Sequence, residues 1–268
     1  MSVSVIASLG TSPPVVTEFI SWIAPVEDVD RLILLATSDP GVLAGAELIK
    51  AAIKLRYPHI VTKSHILKVS DILSEEDNMS FIEETSKILA REKKDPSRRI
   101  YICLAGGRKE MVTSLMLLAQ VFGVDGVFHV VSPYIREMNI ELEKARRDIA
   151  TLYESDDPLK FYEEHREIFD KLMFPDKSTY NVVKIPIIPY PADLLKKLML
   201  LAERRSLPIE KIGLTKSYLA GLAKAGLIHI AGKKVIISDE LRKLLSAISS
   251  SMSNSSSEGS PNMPVTPL

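Results

Sequence analysis

The segment IYICLAGGRKEM, Ile100–Met111, decides the fold. Its first half, Ile100 to Ala105, is apolar without alternation. A strand that shows one face to water alternates in polarity, whereas a strand inside a parallel sheet is covered on both faces and does not. Gly106-Gly107 ends the run, and Lys109 opens a helical pattern that continues to Phe122. Arg108 and Lys109 therefore stand where a helix begins. Two cations are locally unfavourable there, because the helix dipole already makes that end positive. A bound anion would reverse the balance, and backbone N–H groups at such a strand-to-helix loop are placed to receive one. The glycine pair lets the backbone approach a ligand closely. The plainer alternative is a pair of solvated loop charges.

The same grammar extends in both directions. Short apolar runs at Val3–Leu9, Leu32–Thr37, Ile60–Val69 and Val127–Ser132 are separated by helical patterns at Val15–Ile23, Val42–Leu55, Glu75–Arg91 and Lys109–Phe122. Five strands with helical crossovers predict an α/β domain over residues 1–135, a Rossmann-like doubly wound parallel sheet. In a strand order 3-2-1-4-5, strands one and four are neighbours at the point where the order reverses, which is where open α/β sheets bind ligands. The loops that follow them, Gly10-Thr11-Ser12-Pro13 and Gly106-Gly107-Arg108-Lys109, then meet in one crevice. Ser12 before Pro13 also reads as a helix N-cap with proline at the first helical position. Pro13 and Pro14 remove two backbone donors, which weakens the first loop as a phosphate nest. Asp39 before Pro40 reads as an N-cap, with ribose binding as the alternative.

Residues 136–188 read as a helical connector, rich in charge and ending in the short apolar strand Val182–Ile188. From residue 189 the composition changes. Leu194–Leu201, Pro208–Gly213 and Leu214–Ala225 look helical, Leu227–Ile230 and Val235–Ile237 flank Ala-Gly-Lys-Lys as a hairpin, and Glu240–Ile248 closes with a helix. That is the order of a winged helix-turn-helix domain, expected over residues 189–248. Between Tyr190 and Ser249 there are 11 Lys and Arg against 5 Asp and Glu, a surplus of six. Residues 249–268 are rich in Ser, Pro and Asn, with almost no bulky apolar side chains, and read as a disordered tail.

The 268 residues carry 34 basic and 34 acidic side chains, so any basic surface is local. The start of the chain lacks the pattern of a secretory leader, and no apolar run has the length of a membrane span. The expectation is a cytoplasmic protein with no membrane contact. A single Gln120 and a single Cys103, against many Lys, Glu and Ile, is a bias seen in thermophile proteins. Cys103 falls inside a core strand and reads as a small buried hydrophobe. His59, His65, His129, His165 and His229 have no metal-ligand spacing, and neither a P-loop nor GxGxxG is present, so no metal and no cofactor are expected.

A first strand ending in SLGTSP, a fourth ending in LAGGRKEM and a C-terminal winged-helix order together resemble the CARF (CRISPR-associated Rossmann fold) proteins, and within them the archaeal CRISPR ring nucleases. The resemblance covers about residues 1–135 by motif. It implies a homodimer whose paired crevices hold cyclic tetra-adenylate, a second messenger of type III CRISPR antiviral defence. It also implies metal-independent cleavage by the ring's own 2′-hydroxyl, giving linear di-adenylate with a 2′,3′-cyclic phosphate. Carried over by motif, Lys109 would stabilise charge, Arg108 would grip phosphate, and Ser12 would hold the ribose or phosphate for attack. Gly10, Thr11, Gly106 and Gly107, with Asp39 and Ser132 at two further strand ends, are the ligand-binding candidates. A CARF effector ribonuclease is disfavoured, because its HEPN domain needs an Arg four to six residues before a His, and no His here has one. The remaining alternative is a ligand-sensing transcription regulator that binds duplex DNA through the winged helix. Against it, Leu214–Ala225 has only Lys216 and Lys224 as basic residues and no Arg, Asn or Gln to read bases.

Overall fold

A computed structural model describes residues 1–104 and 106–253. They form two compact units: Met1–Phe81 with Asp95–Tyr190, and Ile82–Lys94 with the residues from Pro191 onward.

The first unit begins with β1 (Ser2–Ser8), α1 (Pro14–Ile23), β2 (Asp28–Ala36), α2 (Pro40–Arg56) and β3 (Val61–Ile66). Next come α3 (Glu75–Glu92), whose residues from Ile82 belong to the second unit, β4 (Arg99–Cys103), α4 (Lys109–Phe122) and β5 (Gly126–Val131). It ends with α5 (Ile135–Glu154), α6 (Pro158–Glu164), α7 (Arg166–Met173) and β6 (Asn181–Ile185). The six strands lie in the order β3-β2-β1-β4-β5-β6. The first five are parallel, as the non-alternating runs require, and β6 closes the edge antiparallel to β5. β6 stops at Ile185 because Pro186 has no N–H to give the ladder. β3 is shorter than the apolar run Ile60–Val69 suggests: it is the other edge strand, and Val61 and Ile66 are exposed.

Side-chain alternation along β1 sorts two cores. Val3, Val5 and Ala7 join Leu32, Leu34, Phe19, Leu48 and Ile49 on the side of α1 and α2. Ile6 points to the opposite face of the pleat, and Met111, Leu115 and Leu118 of α4 are fully buried. The charged segment after β5 is part of the first core: Ala145, Ile149 and Leu152 of α5 and Phe169, Leu172 and Met173 of α7 all pack into it. At the amino ends of the strands, buried Arg98 forms a two-pronged bond with Asp30, and Arg99 pairs with Glu27, whose carboxylate also accepts from the Tyr101 hydroxyl. These contacts tie β4 to the start of β2 at the edge opposite the loops of interest.

In the second unit α8 (Ala192–Arg204), β7 (Ser206–Pro208), α9 (Ile209–Ile212) and α10 (Lys216–Lys224) precede the hairpin β8 (Ile228–Ala231) and β9 (Lys234–Ile237), and α11 (Asp239–Ser253) ends it. β7, which the sequence pattern does not announce, pairs antiparallel with β9 to make a three-stranded sheet β7-β9-β8. Leu201, Ile212, Leu219, Val235 and Leu245 form its core. Thr215 caps α10 by accepting from the Tyr218 N–H. α11 runs to Ser253, so residues 249–253 continue a helix rather than starting the expected tail; residues 254–268 lie outside those described. Among the described residues, no helix is long and apolar enough to cross a membrane.

Candidate functional site

Parallel pairing brings the carboxyl ends of β1, β2, β3 and β4 to one edge of the sheet. Ala7 pairs with Cys103 and Ser8 with Leu35, so the loops after β1 and β4 lie side by side. The ladder carries on past the strand ends: the Leu9 N–H donates to the Leu35 carbonyl and the Ser38 N–H to the Val69 carbonyl. A cleft of about 140 Å³ opens above these ends. Gly10, Thr11, Asp39, Gly107 and Arg108 all line it, so five residues singled out by motif meet at one place.

The glycines explain how the two loops come so close. A Cβ on Gly10 would stand 2.7 Å from the Gly107 nitrogen, and one on Gly106 would stand 2.9 Å from the Ser8 carbonyl oxygen. Gly107 adds a φ of +96° that side chains disfavour. The Ser8 hydroxyl donates to the Gly106 carbonyl and locks the pair of loops together. These glycines first serve loop against loop, and the narrow cleft is the result.

The charged candidates differ in their partners. Arg108 is the N-cap position of α4, it lines the cleft, and its Nε donates to Asp71 Oδ1 at 2.7 Å. Asp71 in turn accepts from the Ile72 N–H. Lys109 is exposed at the first position of α4 and has no ion-pair partner among the described residues. Asp39 is occupied as the N-cap of α2, accepting from the Val42 N–H at 3.0 Å. That agrees with its N-cap reading, and it still lines the cleft.

Two candidates sit elsewhere. The N-cap of α1 is Pro13, and Ser12 makes no cap; its hydroxyl instead lies 3.9 Å from the Met138 sulfur at the start of α5. The N-cap reading of Ser12 is corrected: with Pro13 already helical, at φ −57° and ψ −33°, Ser12 is one residue too early. Ser132 lines a separate cavity of about 460 Å³ between α5 and α7, donating to the Thr179 carbonyl and accepting from the Tyr134 N–H. Sequence reading missed Asp71 and Ser70. The signal was available: they follow the third strand, whose carboxyl end a parallel sheet sends to the same edge. Cys103 is buried, as expected. Among the described residues, no group of three or more His, Cys, Asp or Glu side chains is placed to hold a metal ion.

No curated protein sequence matches the chain. Among solved structures it is similar to Csm6 of Enterococcus italicus bound to cyclic hexa-2'-fluoro-hexa-dAMP, with 15% identity and a TM-score of 0.46, over 84% of this chain and 48% of that one. It is also similar to the Vibrio cholerae protein VC1899, with 10% identity and a TM-score of 0.36, over 94% of this chain and 65% of that one. The chain thus spans less than two thirds of either solved chain. The family model described as CRISPR-associated protein NE0113 matches residues 12–217. That stretch runs from the β1 loop through the strand-end cleft and into α10, well over half of the chain, and it places this protein in the CRISPR-associated NE0113 family.

Proposed function

We propose that the protein is a CARF-type ring nuclease that cleaves cyclic tetra-adenylate without a metal and so switches off type III CRISPR signalling. The observation that carries the reading is the close approach of the β1 and β4 loops at the switch point of the sheet, with Arg108 on the cleft and Lys109 exposed beside it at the start of α4. Membership of a CRISPR-associated family supports it.

In the reaction, a ribose 2′-oxygen bonds to the adjacent phosphorus while the bond to the 5′-oxygen breaks. The 2′-hydroxyl proton leaves to solvent, and the departing 5′-oxygen takes one up. Two such cuts turn the four-membered ring into two di-adenylates, each with a 2′,3′-cyclic phosphate. In-line placement and charge stabilisation at the phosphorane are the main demands. Arg108 holds a phosphate with its terminal nitrogens, pre-aimed by Asp71. Lys109 neutralises the developing charge and protonates the leaving oxygen. Ser12 positions the ribose from the β1 loop once its hydroxyl turns from the Met138 sulfur. A two-fold dimer presents the same loops twice to a ring with matching symmetry.

Incubation with cyclic tetra-adenylate in EDTA, with products separated and weighed, tests this directly. Linear di-adenylate bearing a cyclic phosphate is the expected product, and an intact ring would overturn the enzymatic reading. Lys109→Ala is expected to fold as wild type and to lose at least ~100-fold in turnover; unchanged turnover would remove Lys109 from the mechanism.

A second reading has its own observation. The three helices α8, α9 and α10, the hairpin β8–β9 and the closing helix α11, with a three-stranded antiparallel sheet and a surplus of six positive charges, support a winged-helix domain that binds duplex DNA, which would make the protein a ligand-sensing regulator. Steeply salt-dependent duplex binding together with an unconsumed ring would favour it.

A further inference from the structure

Beside the strand-end cleft, a second and larger cavity of about 670 Å³ lies between the first turns of α2 and one face of α5. That volume is typical of small-molecule sites. Thr11 lines both spaces, so the two are neighbours across one residue of the β1 loop. The Ser12–Met138 contact fixes the start of α5 against that loop and places Asn139 one residue further on.

The walls of the two spaces differ in chemistry. On the α2 side Gly41 and Gly45 leave the helix surface flat, and Leu142 of α5 faces the same cavity. The guanidinium of Arg146, the cation in this lining, is paired with Glu143 at 2.9 Å. With Glu143 and Glu154 set against Arg146 the lining is net negative, which disfavours a phosphate, while Pro13, Leu142 and Ile149 give a flat uncharged ring apolar contact. Asn139 supplies an amide with no hydrogen-bond partner among the described residues, one donor and one acceptor side by side. That pair matches the edge of adenine, which offers an amino donor next to a ring-nitrogen acceptor.

We infer that this groove receives one adenine base of the ring whose phosphates lie on the β1 and β4 loops, with Asn139 reading the base edge and Thr11 at the junction. The inference rests on the cyclic-oligoadenylate reading above. It separates the work of the site: the cations between Asp71 and α4 hold phosphate, and the α2–α5 groove selects the base.

The test is calorimetric binding of the cyclic tetra-adenylate ring and of the corresponding inosine ring, in which the amino donor is replaced by a carbonyl, both made with 2′-deoxyriboses so that the attacking hydroxyl is absent and neither is cleaved. Both are measured on the full chain and on Asn139→Leu, a change at an exposed helix position that leaves the core intact. Wild type is expected to prefer the adenine ring by about tenfold or more. Asn139→Leu is expected to weaken adenine-ring binding by about that factor, to hold both rings about equally, and to melt at the wild-type temperature. Wild-type affinity and preference retained in Asn139→Leu would overturn the base subsite and leave the ring reading standing. Failure of wild type to bind either ring would overturn the ring reading, and the subsite with it.

Discussion

Glu18 is a carboxylic acid in surroundings that suit a neutral group. It lies on α1, 1% exposed, and neither carboxylate oxygen has a hydrogen-bond partner among the described residues. Burial pushes its pKa up from the usual 4.5 to about 7. The Tyr180 hydroxyl, also buried without a partner, is pushed up to about 12, chiefly by burial and then by the charge of Glu18. In the unfolded chain Glu18 loses its proton near the usual value, while the folded chain keeps it to about pH 7. Between those points the folded state binds more protons, so stability falls as pH rises and levels off above pH 7. The span corresponds to about 3 kcal/mol. Glu18→Gln is expected to remove this part of the pH dependence and to be the more stable protein at pH 8, checked by urea unfolding of both chains at pH 5 and pH 8. Equal slopes in the two proteins would refute the assignment.

At the scale of elements, the end of α8 carries a cost. Arg205 follows the helix with φ 61° and ψ −33°, the one positive-φ residue other than glycine among those described. Its carbonyl accepts from the Ile237 N–H, so the turn is held by the pairing of β7 with β9. A side chain in that conformation costs about 1–3 kcal/mol, and glycine relieves it at an unfolded-state penalty of under about 1 kcal/mol. Arg205→Gly is therefore expected to stabilise the protein by about 1 kcal/mol in denaturant unfolding. A loss of stability would show that the Arg205 side chain contributes more than its backbone costs. The glycines of the cleft show the opposite case. Gly10, Gly106 and Gly107 were legible as loop formers, and Asp39 as a cap. Their tight mutual contact was not, because it depends on the distance between strands whose paired residues are 96 apart in sequence.

For the whole molecule, the division into units has a consequence for truncation. The later turns of α3, with Ile82, Ile88 and Leu89 buried, belong with the residues after Pro191 rather than with the sheet that precedes them. A chain ending at Tyr190 keeps those turns and removes the rest of their unit. It is expected to melt several degrees below the full chain, read by circular dichroism at 222 nm, a helix band. Equal melting temperatures would show that α3 is held by the first unit alone. The sixth strand of the sheet belongs to the same scale. The apolar run at 182–188 marked a strand, but its antiparallel place on β5 follows from the α5–α7 segment, which leads the chain back along the sheet edge.

By itself the sequence determined the five buried strands with their helical crossovers and the identity of the two loops, because periodicity and connectivity are local properties; the order of the strands came with the structure. It also marked Cys103 as core and Lys109 as a cation at a helix start. Only the tertiary structure decided that Asp71 holds the Nε of Arg108, that Ser12 faces Met138 instead of capping α1, and that Ser132 opens into a different cavity from the strand-end cleft. Each of these joins residues that are distant in sequence, and a side chain's partner across such a distance is set by how helices pack on the sheet rather than by any local pattern.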